Sequence, residues 1–197
     1  MGDLKKACWI AALAVAVVAN AQPPATPSLD PRLKFKDGDR YLRDLAAALE
    51  IPRDSICKEL GQYDCYFDAF RIVLGGVEPY TIRIVEPLPP SLTTPIALDR
   101  VALRVCATRV TADEKEPDKA VLLRPARKFD ARWRRETAAL LYEKLLRRPA
   151  SSEEISRLTE FYKTVASELR APAERAARDW VVLGCFAVAT SLESIFY

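Results

Sequence analysis

The sequence predicts an all-α protein built as two small helical lobes packed together, stabilised by disulfides and carrying at most a minor strand. Three observations predict it. From Leu140 to Tyr197 apolar residues recur every three or four positions between recognisable helix caps. Trp180 to Ala189 is an unbroken apolar run of ten residues, too short for a bilayer, which takes about 20, but suited to a helix covered on most sides. Finally, four cysteines remain once an N-terminal export signal is set aside.

That signal comes first in the chain. Lys5 and Lys6 form a positive start, Ala7 to Val18 an apolar core, and Ala19-Asn20-Ala21 a small-residue cleavage site, so residues 1–21 read as a secretory signal peptide cut near Ala21. Cys8 would leave with it. The expected product is periplasmic or secreted, has no transmembrane helix after cleavage, and runs for 176 residues from Gln22. Removing Lys5, Lys6 and Asp3 leaves 28 basic against 26 acidic residues, a balance that argues against a nucleic-acid partner.

Residues 22–33 hold Pro23, Pro24, Pro27 and Pro31 and read as an extended tether. An N-terminal lobe is expected over 34–112. Its first helix should run from Arg40 to Glu50, with Asp39 as cap and Tyr41, Leu42, Leu45 and Leu49 on one face. Asp54 to Leu60 and Cys65 to Leu74 read as two further short helices, closed by Gly61 and by Gly75-Gly76. Tyr80 to Val85 alternates like a strand with nothing evident to pair with, and Pro87, Pro89, Pro90 and Pro95 mark an irregular crossover. Helical spacing returns over Ala97 to Thr111 through Leu98, Val101, Val105 and Cys106.

A charged linker is expected over 113–129, its acidic part, Asp113 to Asp118, forming an exposed loop. The C-terminal lobe, 130–197, opens with a helix from Asp130 to Arg148, which Pro149 ends. Ser151 and Glu154 have capping-box spacing, so a new helix starts near Ser152 and presents Ile155, Leu158, Tyr162, Val165 and Leu169 as one stripe. Pro172 suits the first turn of the last helix, which should bury Trp180, Val181, Leu183, Phe186 and Val188.

The run ending in Arg147-Arg148-Pro149, then SSEEISRLTEFY, a spacer, and an apolar helix ending in SLESIFY resembles a small helical domain of unknown function. That domain is found in large secreted proteins of planctomycetes and related bacteria, many of which also carry cytochrome-c modules. The resemblance covers Arg132 to Tyr197. The family ends in a Ser-Pro-Xaa-Phe-Leu-Tyr pattern, which Ser191, Leu192, Phe196 and Tyr197 follow approximately. It implies a helical fold, export and, at most, a haem-bearing partner.

The chemistry open to the chain is narrow. It has no histidine, which removes the Cys-Xaa-Xaa-Cys-His attachment of c-type haem, the imidazole base of a serine triad and the paired-histidine zinc motifs. No cofactor is expected. Cys57, Cys65, Cys106 and Cys185 allow three pairings; buried thiols or a redox or metal site are the other readings, but no Cys-Xaa-Xaa-Cys pair is present. Closeness across one short turn favours Cys57 with Cys65, which leaves Cys106 with Cys185.

Two functional readings follow. Between Arg124 and Arg135 half the residues are basic: Arg124, Arg127, Lys128, Arg132, Arg134 and Arg135, with Phe129 and Trp133 among them. Such a patch can meet an anionic partner unless the acids of 113–118 neutralise it. This favours a non-enzymatic accessory protein of the cell envelope, binding another protein in a cell-envelope or cytochrome-linked assembly. The alternative is a carboxylate-dependent hydrolase or glycan-binding enzyme, for which Asp64 with Asp68, or Glu136 with Glu143, have the spacing to share a helix face.

Overall fold

The computed structural model describes residues 33–170 and 172–197. The expected signal peptide, and the expected tether through residue 32, lie outside the described residues. The architecture is all-α, with two disulfides and one very short hairpin.

Helix α1 (Gly38–Leu49) buries Tyr41, Leu42, Leu45 and Leu49, the expected face. Its cap is Asp37 rather than Asp39: the Asp37 carboxylate accepts from Arg40 N–H at 2.8 Å, while Asp39 sits inside the first turn and pairs with Arg43. Gly38 fits because its backbone lies against a neighbour, donating to Leu74 O at 2.7 Å; a Cβ there would stand 2.5 Å from the Leu74 Cβ.

The next two expected helices are corrected. Asp54 to Leu60 is a turn leading into strand β1 (Lys58–Glu59), which pairs antiparallel with β2 (Tyr63–Asp64). The Cys57–Cys65 bridge holds their Cα atoms 5.5 Å apart, whereas eight helical residues would span about 12 Å, so the chain must fold back. After the hairpin comes a π-helical turn, Cys65–Phe70, capped by Asp64 through Tyr66 N–H and Phe67 N–H. The expected strand at Tyr80 to Val85 reduces to one bridge between Glu78 and Ile84.

Helix α2 (Thr93–Lys115) is longer than periodicity indicated and takes in Asp113. Thr94 ties its start to the body, its hydroxyl donating to Val73 O at 3.0 Å. Helix α3 (Ala131–Leu146) follows, capped by Asp130, then α4 (Ser152–Leu169), whose capping box between Ser151 and Glu154 is formed in both directions. Helix α5 (Ala173–Ala189) starts after Pro172, and the single turn α6 (Leu192–Ile195) closes the described chain.

Helix α5 is the centre: α2, α3 and α4 all pack on it. Trp180 is fully buried, touches the rings of Trp133 and Tyr162 at 5.7 Å, and donates its indole N–H to Leu158 O at 2.9 Å. Val181 and Val188 are buried as expected, whereas Leu183 and Phe186 are half-buried. One core runs from α1 through α2 to α5, so the two lobes share it. The Cys106–Cys185 bridge crosses between α2 and α5, with Cα atoms 5.8 Å apart. Phe35 pairs with Phe196 in a bridge, their rings edge-on at 5.8 Å, which joins the start of the described chain to its end.

Candidate functional site

The basic segment is positioned from its two ends. Upstream, the buried Asp113 carboxylate accepts the backbone N–H groups of Val121, Leu122 and Leu123 at 2.8–2.9 Å, which draws Val121 and Leu122 into the core. Downstream, Asp130 accepts from Trp133 N–H at 2.9 Å, and that bond holds its carboxyl below the usual range. Between them Trp133 turns inward, its indole N–H donating to Arg124 O at 3.3 Å and its ring meeting Phe129 edge-on at 4.8 Å. With both aromatics folded in, the cations face out.

The six basic residues do not behave alike. Arg132 is paired with Glu136 at 2.8 Å. The Arg134 guanidinium lies over the Tyr162 ring at 4.6 Å and donates to Phe129 O at 2.9 Å, so it joins α3 to α4. Arg124, Arg127, Lys128 and Arg135 are exposed and have no ion-pair partner among the described residues.

The expected neutralising loop is not formed. Asp113 lies in α2 at 1 % exposure and pairs with Arg109; Glu114 pairs with Arg178, and Glu116 with Lys119. None of these acids pairs with a cation of the basic segment among the described residues.

Arg134 and Arg135 also line a cleft of about 290 Å³ against α4, together with Ser156, Thr159, Glu160 and Lys163. Periodicity on α4 marks its apolar stripe rather than the opposite face. Ser156, Thr159 or Glu160, and Lys163 recur at helical spacing there, which is the signal that could have found them. Arg135 beside Lys163, whose ammonium lies 4.0 Å from the Glu160 carboxylate, can take a carboxylate or phosphate oxygen in competition with Glu160; the cleft offers no activated nucleophile.

The four cysteines form two buried bridges, in the favoured pairing. The carboxylate pairs serve the backbone or solvent. Asp64 caps the π-helical turn and pairs with Arg53 at 3.3 Å, and Asp68 accepts from Asp64 N–H at 2.7 Å. Glu136 is tied to Arg132, while Glu143 is exposed. Two acids that spacing did not suggest do share a hollow. Glu168 and Asp179 flank a groove of about 380 Å³ between α4 and α5, lined by Phe161, Val165, Leu169 and Val182. Leu169, expected in the core stripe, is the last residue of α4 and is 43 % exposed at the edge of this groove. Asp179 is held by Arg178 at 2.8 Å and lies 3.9 Å from Arg175.

Among the described residues no helix is long and apolar enough to cross a membrane, and no group of three or more His, Cys, Asp or Glu side chains is placed to hold a metal ion. No protein-family model, curated protein or solved structure matches the chain.

Proposed function

We propose that the chain is an exported accessory protein of the cell envelope that binds an acidic protein partner through the basic face leading into α3. The observation that carries the reading is the set of four exposed, unpaired cations, Arg124, Arg127, Lys128 and Arg135, on a segment held at both ends by Asp113 and Asp130. A fixed cluster of one sign steers an oppositely charged surface and sets its register, with little ordering entropy left to oppose docking. The cleft of Arg135 and Lys163 gives one partner carboxylate a seat. Two disulfides support an oxidising compartment. A haem-bearing partner is what the C-terminal resemblance adds; with no histidine in the chain, c-type haem would belong to that partner.

The test is a pull-down from envelope extract with the native chain and a variant carrying Arg124→Glu, Arg127→Glu, Lys128→Glu and Arg135→Glu. Arg132 and Arg134 are left alone because they hold Glu136 and Tyr162. A partner taken by the native chain and lost by the variant supports the reading, and equal capture refutes it.

The second reading, a carboxylate-dependent hydrolase or glycan-binding enzyme, is favoured by one observation: Glu168 and Asp179 flank the same aromatic-containing groove. Turnover of peptidoglycan fragments abolished by Glu168→Gln would establish it, and no turnover by the native chain would remove it.

A further inference from the structure

Exposed large apolar side chains are concentrated in one stretch. Eleven of the fifteen among the described residues fall between Leu60 and Leu103, and five of them, Tyr80, Ile82, Val85, Leu88 and Leu92, lie on the crossover before α2. Exposed apolar side chains scattered singly are ordinary; it is their concentration on one crossover that points to a role.

Within it, Glu86 to Pro90 reads Glu-Pro-Leu-Pro-Pro. The rings of Pro87, Pro89 and Pro90 fix their own φ near the polyproline II value, and each proline pushes the residue before it, Glu86, Leu88 and Pro89, into the same region. Glu86, Leu88 and Pro89 are thus restricted to extended backbone by sterics alone, and Pro87 and Pro90 have φ fixed at a value that suits it. From Pro87 to Ser91 there is no helix, strand or turn, and no backbone N–H of 85–90 donates a hydrogen bond within the described chain. At three residues per turn Pro87 and Pro90 stand on one edge, about 9 Å apart, with Leu88 on the next.

The segment is held at both ends. Before it, Glu78 and Ile84 exchange N–H···O bonds at 2.8 and 3.0 Å, and Arg71 pairs with Glu78. After it, Ser91 N–H donates to the Thr94 hydroxyl at 2.9 Å, and that hydroxyl donates to Val73 O. A preformed, anchored, apolar Pro-Xaa-Xaa-Pro ridge with unsatisfied backbone carbonyls is what an aromatic-lined groove reads, because little conformational entropy remains to be lost.

We propose that Pro87–Pro90 is a presented polyproline II ligand that docks in a Trp-lined groove of a partner protein, on a surface separate from the basic face. The full chain is immobilised, loaded with envelope extract and eluted with a synthetic peptide of residues 85–94. That peptide contains no Trp or Tyr, so the tryptophan fluorescence of the eluted protein can then be titrated with it. The result expected is elution by this peptide, failure of the same peptide with Pro87→Ala and Pro90→Ala, at least about a tenfold loss of capture when the full chain carries both substitutions, and a saturable fluorescence change. Capture should survive the charge reversal at Arg124, Arg127, Lys128 and Arg135. No capture, equal elution by the substituted peptide, or saturable binding without a fluorescence change would each overturn the proposal. Circular dichroism of the substituted chain confirms that a loss is not unfolding, since neither proline contributes to the core.

Discussion

Arg109 and Asp113, one turn apart on α2, meet at 2.9 Å inside the protein and tie three segments together. The Arg109 guanidinium donates to Leu49 O and Glu50 O at 3.3 Å, taking carbonyls that the end of α1 leaves open. The Asp113 carboxylate receives the three N–H groups that begin the basic segment. The pair is therefore a fixed junction between α1, α2 and the proposed binding face.

Asp113→Ala is expected to destabilise the fold by about 3–5 kcal/mol, because it strands a buried cation and leaves three backbone N–H groups without their acceptor. Arg109→Met keeps those three bonds and should cost less. Urea unfolding of the two variants measures the difference, and a smaller loss for Asp113→Ala would contradict this account of the pair.

The two disulfides should differ in weight. In the chain-entropy model a loop of 79 residues, closed by Cys106–Cys185, is worth about 4.5 kcal/mol, against about 2.5 for the eight-residue loop of Cys57–Cys65. Denaturation midpoints of the two Cys→Ala double variants should follow that order.

How much of this was open to sequence reading depended on how local the cause was. Asp130, the Ser151–Glu154 box and Pro172 act within one turn of their own residue, so α3, α4 and α5 could be placed from spacing. Cys57 with Cys65 was favoured because eight residues separate them, and that pairing already argues against a continuous helix between them. Asp113 reads as an exposed charge; its partners are near in sequence, Arg109 one turn back and the N–H groups of 121–123 eight to ten residues on, and spacing does not reveal that all of them are drawn inside. The same limit hid the cleft. Lys163 and Arg135 line one cleft because α3 and α4 lie side by side on α5, with Trp133 and Tyr162 both packed on Trp180.

Stability should fall in acid through a known group. Arg148 donates to Glu154 at 2.7 and 3.0 Å and to Glu193 at 2.7 Å, and its hydrogen bond, followed by that from Ser151, lowers the Glu154 carboxyl from 4.5 to about 2. Glu193 is lowered by the same guanidinium. A depressed folded-state value means the stabilisation is present above the unfolded value and is lost as pH falls through the window between 4.5 and about 2. The urea midpoint should drop across that window, and Glu154→Gln should drop less steeply.

Gly38→Ala is expected to destabilise by about 1–3 kcal/mol through overpacking. The added methyl would meet the Leu74 Cβ at 2.5 Å and the Tyr66 ring at 2.9 Å, and the former cannot move without shifting Leu74's backbone. Thermal unfolding of this variant against Ala47→Gly, a change at an exposed position in the same helix, separates overpacking from simple helix propensity.

The most direct measurement of the central claim is the affinity of the captured acidic partner for the native chain as salt is raised from about 0.05 M to about 0.5 M, where screening shortens from beyond 10 Å to a few Å. Docking on the basic face predicts a steady weakening, with the slope largely abolished when Arg124, Arg127, Lys128 and Arg135 carry glutamate. Affinity that ignores salt, or a slope that survives those four substitutions, would contradict it.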